Sequence, residues 1–300
     1  MVRAYFAVLI GVISVSTSAV LVKLSTAPVG VIAFYRLFFS SLFLAPLFFH
    51  KHTKAVKRFS KKEWNYSIMA GVFLAFHFIL WFESLRYTSV ASSVVIVTLQ
   101  PLFSFVGAYL LFKERINAAS ILCGICALGG SFIISWGDFY ISGKAIVGDA
   151  LAFISCGLIT AYLLLGQEVR KKIDVVPYTF VVYTISSITL FMYVLTKQEA
   201  FFSYDWKEWM LFILLAVFPT LLGHSLFNWA LKYVSTSIIS MAILFEPVGA
   251  TVLAYFLLNE EVVKSQIAGG GVIFISVAVF LLLQRKNTLQ LEKGMNSTSY

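Results

Sequence analysis

The chain has 300 residues, of which 60% are hydrophobic and only 12% charged. A soluble domain carries about 25% charged residues, so this composition, with a mean hydropathy of +0.89, excludes a water-soluble fold and points to an all-α membrane protein. The net charge of +9 does not argue for a nucleic-acid partner, because the basic residues sit between apolar runs, where they set topology.

Ten apolar runs follow one another, near 4–23, 30–49, 65–85, 90–112, 117–136, 145–166, 177–196, 208–231, 237–258 and 266–284. A bilayer crossing takes roughly 20 such residues as a helix, so the expectation is ten transmembrane helices. The first run, Ala4–Leu21 behind Arg3, has the outline of a signal peptide. It is long for one and runs on to Lys23, so it is read as an uncleaved first span. The second run carries Arg36, roughly 10 Å deep at the helical rise. Glu83, near the outer end of the third run, is its expected partner, as a structural pair or as a clamp on a substrate charge. The third run also carries His77 and Trp81, and the eighth carries His224, Asn228 and Trp229. Residues four apart share a helix face, which pairs His77 with Trp81 and His224 with Asn228. A histidine beside an aromatic wall suits an amphipathic organic ligand; a lone buried histidine more commonly makes a helix–helix hydrogen bond.

The fourth run holds Gln100-Pro101 and the ninth Glu246-Pro247. Proline removes a backbone donor and opens the helix. A carboxylate at mid-membrane costs several kcal/mol unless paired, protonated or wetted. Glu246 therefore reads either as a group that binds a substrate ammonium or carries a proton, or as an acid that caps the backbone freed by Pro247. Gln100 cannot titrate, so the two positions contribute unequally. Cys123, Cys126 and Cys156 fall within apolar runs and read as small packing residues. With no third ligand at suitable spacing, neither they nor the histidines make a metal site. Asp149 is expected to open the sixth helix, and Glu114 and Glu260 to close the fourth and ninth as caps or salt bridges. Gly124, Gly129, Gly130 and Gly269–Gly271 are expected to let backbones approach, between halves or between two copies in a homodimer. The tail 286–300 is polar, expected to be disordered and cytoplasmic.

With the N-terminus placed inside, sixteen Lys and Arg fall in inside segments against five outside, Arg86, Lys144, Lys197, Lys207 and Lys264. That bias puts both chain ends in the cytoplasm, which ten crossings allow. The chain also repeats. An offset of 146 carries Leu85, Tyr87, Ser89, Pro101, Tyr109 and Glu114 onto Leu231, Tyr233, Ser235, Pro247, Tyr255 and Glu260, and an offset of 147 carries His77 onto His224. Two halves result, 1–140 and 141–285, each of five helices. Five is odd, so the second half enters the membrane from the opposite face. Inverted repeats of this kind place a substrate site between them.

Gln100-Pro101 followed by AYLLFKER (108–115), and Glu246-Pro247 followed by AYFLLNEE (254–261), resemble the paired signatures of EamA-type transporters in the drug/metabolite transporter superfamily. Tyr35-Arg36 and Lys23 also resemble that family's pattern, and the similarity covers nearly the whole chain. The resemblance implies ten helices, an inner-membrane location and, most often, export of small metabolites, amino acids or drugs. It does not imply which of these.

The resulting expectation is a secondary transporter working by alternating access. Its substrate or coupling residues are Glu246, His77, His224, Gln100, Trp81, Asn228 and Trp229, with Glu246 a candidate for proton coupling. Helices three, four, eight and nine are expected to line its cavity, with one and six. No nucleotide-binding loop, H-E-x-x-H or G-x-S-x-G occurs, so the alternative, an intramembrane enzyme such as a lipid-modifying transferase, has no catalytic set. A retinal receptor lacks its mid-helix lysine, and no cofactor is expected.

Overall fold

The computed structural model describes residues 2–88, 90–114, 117–135, 145–259 and 264–297. Its regular structure is helical throughout the described residues. The first span is α1 (Val2–Val15) and α2 (Ser18–Leu24), followed by α3 (Val29–Lys51), the short α4 (Thr53–Val56) and α5 (Lys61–Ser84). The fourth run is split into α6 (Val90–Val97) and α7 (Gln100–Phe112), and α8 is Ala118–Ser135. Next come α9 (Ala145–Arg170), α10 (Val175–Lys197) and α11 (Trp206–Leu215), which passes through a π-helix, Ala216–His224, into α12 (Ser225–Ala230). The ninth run is split into α13 (Thr236–Ile243) and α14 (Glu246–Leu258), and α15 is Lys264–Ser297.

Eight helices among the described residues are long and apolar enough to cross a bilayer, and the fifth and tenth runs give shorter apolar helices, Ala118–Gly130 and Ile267–Leu283. The chain is thus a multi-pass membrane protein. The tail does not follow the expectation of disorder, because α15 continues past Arg285 to Ser297. That stretch holds no proline and is rich in Gln, Lys, Leu and Glu, which favour helix. Asp149 lies beyond the first turn of α9, which begins at Ala145; it does not open that helix. Glu260 lies outside the described residues.

Both mid-span breaks form where the prolines stand. Pro101 and Pro247 sit in the first turn of α7 and α14, where the missing N–H costs nothing. The break in the first span has another cause. Ser16 Oγ donates to Val12 O (2.9 Å) and Thr17 Oγ1 to Ser14 O (2.7 Å), hydroxyls competing for helix carbonyls. The broken first span abuts the broken ninth: Ser16 Oγ also donates to Glu246 O (3.3 Å), and a Cβ on Gly249 would collide with that hydroxyl.

The boundaries of these elements recur at the offset the sequence shows. Moving α3, α6 and α7 by 146 residues gives α10, α13 and α14 at both ends. The helices closing at Phe112 and Leu258 both end on a left-handed cap, Lys113 at φ 57° and Asn259 at φ 55°. α5 and its counterpart differ by one residue. Their starts, Lys61 and Trp206, are 145 apart and their ends, Ser84 and Ala230, are 146 apart. The second copy has one residue more, and the wider turns of the π-helix take it up.

Helices α8 and α15 pack through glycine. A Cβ on Gly130 would lie 2.8 Å from Gly269 O and 3.0 Å from Ile273 Cγ1, while Gly129 and Gly271 have nothing within 4 Å. Gly130 therefore makes the close approach between α8 and α15. Gly130→Val is expected to lower stability by about 1–3 kcal/mol, the cost of overpacking a closed contact. Gly129→Val should change it little. Thermal unfolding of the two variants in the same detergent compares them; equal losses would remove the role assigned to Gly130.

Candidate functional site

Arg36 enters the interior from α3 and is fully buried. Its Nε donates to Thr220 Oγ1 at 2.7 Å and its Nη1 to Ser18 Oγ at 2.8 Å, and its guanidinium lies 4.0 Å from the centre of the Phe78 ring. Thr220 belongs to the π-helix, where its hydroxyl also donates five residues back, to Leu215 O at 2.9 Å. The wider turn thus presents Thr220 to Arg36. Glu83 is not the partner expected from the sequence. It pairs with Arg86, in the turn just past α5, at 3.6 Å, because it lies at the end of that helix while Arg36 is held deep in the bundle by two hydroxyls.

The groups around Arg36 converge on one cavity. Glu246 from α14, Gln100 from α7, His77 and Trp81 from α5 and His224 from the π-helix line it with Arg36 and Ser18. Apolar residues of α1, α9, α12 and α13 close the wall, Val15, Ile159, Phe227 and Ile243 among them. The helices expected to line it do so, and α3 joins them through Arg36. The cavity leaves about 20 Å³ for water centres, room for a water molecule. Its polar residues are buried, Glu246 6% exposed and Gln100 4%. Arg36 is near enough for its charge to act on Glu246 and on both histidines.

Several polar atoms in this ring lack protein partners. Arg36 Nη2, Gln100 Oε1, Trp81 Nε1 and His224 Nδ1 are buried without a hydrogen bond among the described residues, and no hydrogen bond reaches the Glu246 carboxylate there. A native interior leaves few such groups, and each calls for a ligand, an ion or water. His77 is different: Ser155 Oγ and Ser155 O lie 2.8 and 3.1 Å from its Nδ1, and its ring stacks on Trp81 at 5.7 Å. It therefore joins α5 to α9 as well as facing the cavity.

Two expected residues lie outside the lining. Asn228 is one turn beyond His224, and its Nδ2 is taken by Tyr162 Oη and by His224 O at 2.8 Å. Trp229 is turned about 100° further round the helix and its ring meets Tyr233 at 4.8 Å. Among the described residues no cluster of His, Cys, Asp or Glu is placed to hold a metal ion.

The sequence matches the EamA-like transporter family twice, over residues 2–136 and 146–282. The chain belongs to that family. The two EamA-like matches fall on the two copies whose element boundaries recur. Among relatives, the chain is 22% identical over 253 residues to an uncharacterized transporter, YxxF, of Bacillus subtilis, covering 84% of this chain and 80% of that one. It is 25% identical over 200 residues to an uncharacterized transporter of Archaeoglobus fulgidus, covering 66% and 70%. It is 19% identical over 249 residues to the riboflavin transporter ImpX of Fusobacterium nucleatum, covering 79% and 82%. A solved crystal structure superposes with a TM-score of 0.77 over 95% of this chain and 99% of its own, at 15% identity, a likeness of fold alone.

Of the residues joining the halves at the two ends of the bundle, only Glu114 was singled out from the sequence. Glu208, at the third position of α11, accepts from Ser25 Oγ, from Thr26 N at 2.7 Å and from Thr26 Oγ1 at 2.8 Å. At the opposite end Lys62 meets Glu168 at 2.9 Å, Lys172 meets Glu63 at 4.0 Å, and Ser235 Oγ donates to Glu114 at 3.0 Å. Burial pushes the Glu114 carboxyl above the usual carboxylate range, against the hydrogen bond from Ser235. The signal for the first two was a local repeat: Lys62-Glu63-Trp64 and Lys207-Glu208-Trp209, related by an offset of 145.

Proposed function

We propose that this EamA-like chain is a secondary transporter that moves a small organic solute across the inner membrane by alternating access, in the direction of export. Its fold is then ten crossings in two inverted five-helix repeats, 1–140 and 141–285, with both ends and the 286–300 tail in the cytoplasm. The observation that carries this reading is the buried ring of Arg36, Glu246, Gln100, His224 and Trp81. It draws on both halves, sits beside two broken helices, and keeps polar atoms unbonded. Opposed helix breaks at a repeat interface are where membrane transporters bind solute.

Contacts between links support the topology. Ser25 and Thr26 meet Glu208, and Tyr35 Oη donates to Phe201 O at 2.7 Å. Separately, the segments around residues 62, 114, 168, 172 and 235 meet one another. The two sets do not mix, as an alternation of crossings requires. The excess of Lys and Arg falls on the second set, which favours that end as cytoplasmic.

A solute for this ring offers both an acceptor to Arg36 and Trp81 and a donor to Glu246 and Gln100. Amino acids and drug-like heterocycles do so, and riboflavin, the substrate in the name of one relative, belongs in the same panel. Purified protein in proteoliposomes, given labelled amino acids, flavins and cationic drugs with and without a pH gradient, is expected to move at least one class faster than protein-free vesicles. A gradient that drives the solute uphill supports proton coupling through Glu246. Rates matching empty vesicles for every class would sink the reading.

A further inference from the structure

We propose that Glu208 and Glu63 are equivalent positioning residues of the transport cycle, each holding one end of the cavity closed. The inference rests on the alternating-access reading and adds to it which side chains form the two closures. An offset of 145 carries Ser60 onto Asp205, Glu63 onto Glu208 and Trp64 onto Trp209. The correspondence is structural as well. Ser60 and Asp205 are both N-caps whose side chains accept from the third residue of the helix, Glu63 N at 3.3 Å and Glu208 N at 3.0 Å. Both carboxylate-bearing residues are buried, Glu63 at 9% exposure and Glu208 at 4%.

Their partners correspond too. Glu208 binds Ser25 and Thr26, in the link between α2 and α3. An offset of 146 carries Val29, the first residue of α3, onto Val175, the first of α10, and carries Thr26 onto Lys172. Lys172 is the residue that meets Glu63. So one contact, made between a helix N-terminus in one half and a link in the other, occurs twice. One copy joins Glu208 of the second half to the first half's link. The other joins Glu63 of the first half to the second half's link, at the opposite end of the bundle.

A packing accident has no reason to recur at both ends in repeat-equivalent residues. A pair of closures that must open in turn has one, because each repeat takes the other's place in the cycle. The two are unequal. Glu208 accepts three hydrogen bonds, two of them from one residue, in a part-buried setting. Glu63 spends one oxygen on Ser60 N at 2.7 Å and meets an exposed lysine only at 4.0 Å, an arrangement worth little by itself. The neighbouring pair Lys62–Glu168 adds to that end. The Glu208 end is therefore the more firmly held.

The test reads access to the cavity from each side. Val97 lines the cavity. In protein whose Cys123, Cys126 and Cys156 are replaced by Ala, Val97→Cys is labelled with a membrane-impermeant maleimide in intact cells and in inside-out vesicles. Glu208→Ala should raise labelling from the outside about tenfold, a shift a few charge-assisted hydrogen bonds can produce, and lower it from the inside. Thr26→Val, which leaves the α11 cap intact, should act in the same direction with smaller size. Glu63→Ala and Lys172→Ala should act in the reverse direction, less strongly. The double variant Glu208→Ala/Glu63→Ala should return toward the starting ratio. A residue with only a structural duty would raise exposure at its own end without lowering it at the other. Labelling that changes on one side alone, or in the same direction for both glutamates, overturns the inference while leaving the transporter reading standing. No labelling from either side in any variant overturns both, since the cavity would then have no access to water.

Discussion

Arg36→Met is expected to abolish transport and to lower the folded yield sharply, and adding Glu246→Gln to recover most of the yield but none of the transport. Arg36 is fully buried, and its bonds run to two hydroxyls, not to an acid. Losing those bonds alone costs about 1–3 kcal/mol. The larger effect comes from Glu246, which lines the same cavity. Where Glu246 is ionised, losing the Arg36 charge leaves a buried carboxylate uncompensated, at up to about 3–5 kcal/mol, less where it takes up a proton instead. Neutralising Glu246 removes that charge, so the two substitutions should couple by more than the few tenths of a kcal/mol seen for independent sites. Thr220 keeps its bond to Leu215 O, so the π-helix should survive. Thermal unfolding of wild type, both single variants and the double variant measures the coupling. Strictly additive losses would mean that Arg36 is held by Ser18 and Thr220 alone, without regard to Glu246.

The second large effect concerns Glu246 itself. Glu246→Gln keeps the size and one acceptor but cannot take up or release a proton. If Glu246 carries the coupling proton, transport in an imposed pH gradient should fall to the rate without one, a loss of the whole gradient-driven component. Gln100, at the equivalent place in the first half, already has the amide, so the variant makes the two halves alike at this position. Exchange of solute across vesicles at equal pH should persist within a few fold, because hydrogen bonding to the solute is retained. Uphill movement that continues unchanged in Glu246→Gln would remove the proton from this residue.

The helical organisation was legible because the physics behind it is coarse. Runs of about 20 apolar residues can only be helices in a bilayer, and prolines after Gln100 and Glu246 break them wherever packing allows. The repeat was legible in residues with strong individual constraints, Pro101 with Pro247 above all; the offset of 147 that relates His77 to His224 is not one the helix ends reproduce. The grouping of His77, Trp81, Gln100, His224 and Glu246 followed, since a polar residue amid apolar spans has few places to go. The partners of Arg36 did not follow. Ser18 and Thr220 are hydroxyls within apolar runs, and nothing in the local pattern separates them from the many that bond their own helix, such as Thr160 to Cys156 O at 2.8 Å. The π-helix was hidden as well: one extra residue shows only when the 145 offset of the Glu-Trp pair is set beside the 146 of the helix end. Asn228 and Trp229 were misplaced because helix geometry fixes a face but not a depth. One turn beyond His224, Asn228 meets Tyr162 before it reaches the cavity. Glu63 and Glu208 were passed over because acids near helix starts ordinarily need no explanation beyond the helix dipole.

The claim beneath all of this is that two copies of one five-helix unit lie in the membrane upside down relative to each other, around a shared polar chamber. Lys62 and Lys207 test it most directly. They are matched by the 145 offset, each is exposed, and each lies in the first turn of its helix beside Glu63 or Glu208. With Lys62→Cys and Lys207→Cys made singly in cysteine-free protein, an impermeant maleimide should label the first only from the cytoplasmic side and the second only from the outside. Labelling of both from the same side would contradict the inverted arrangement, and the alternating closures with it.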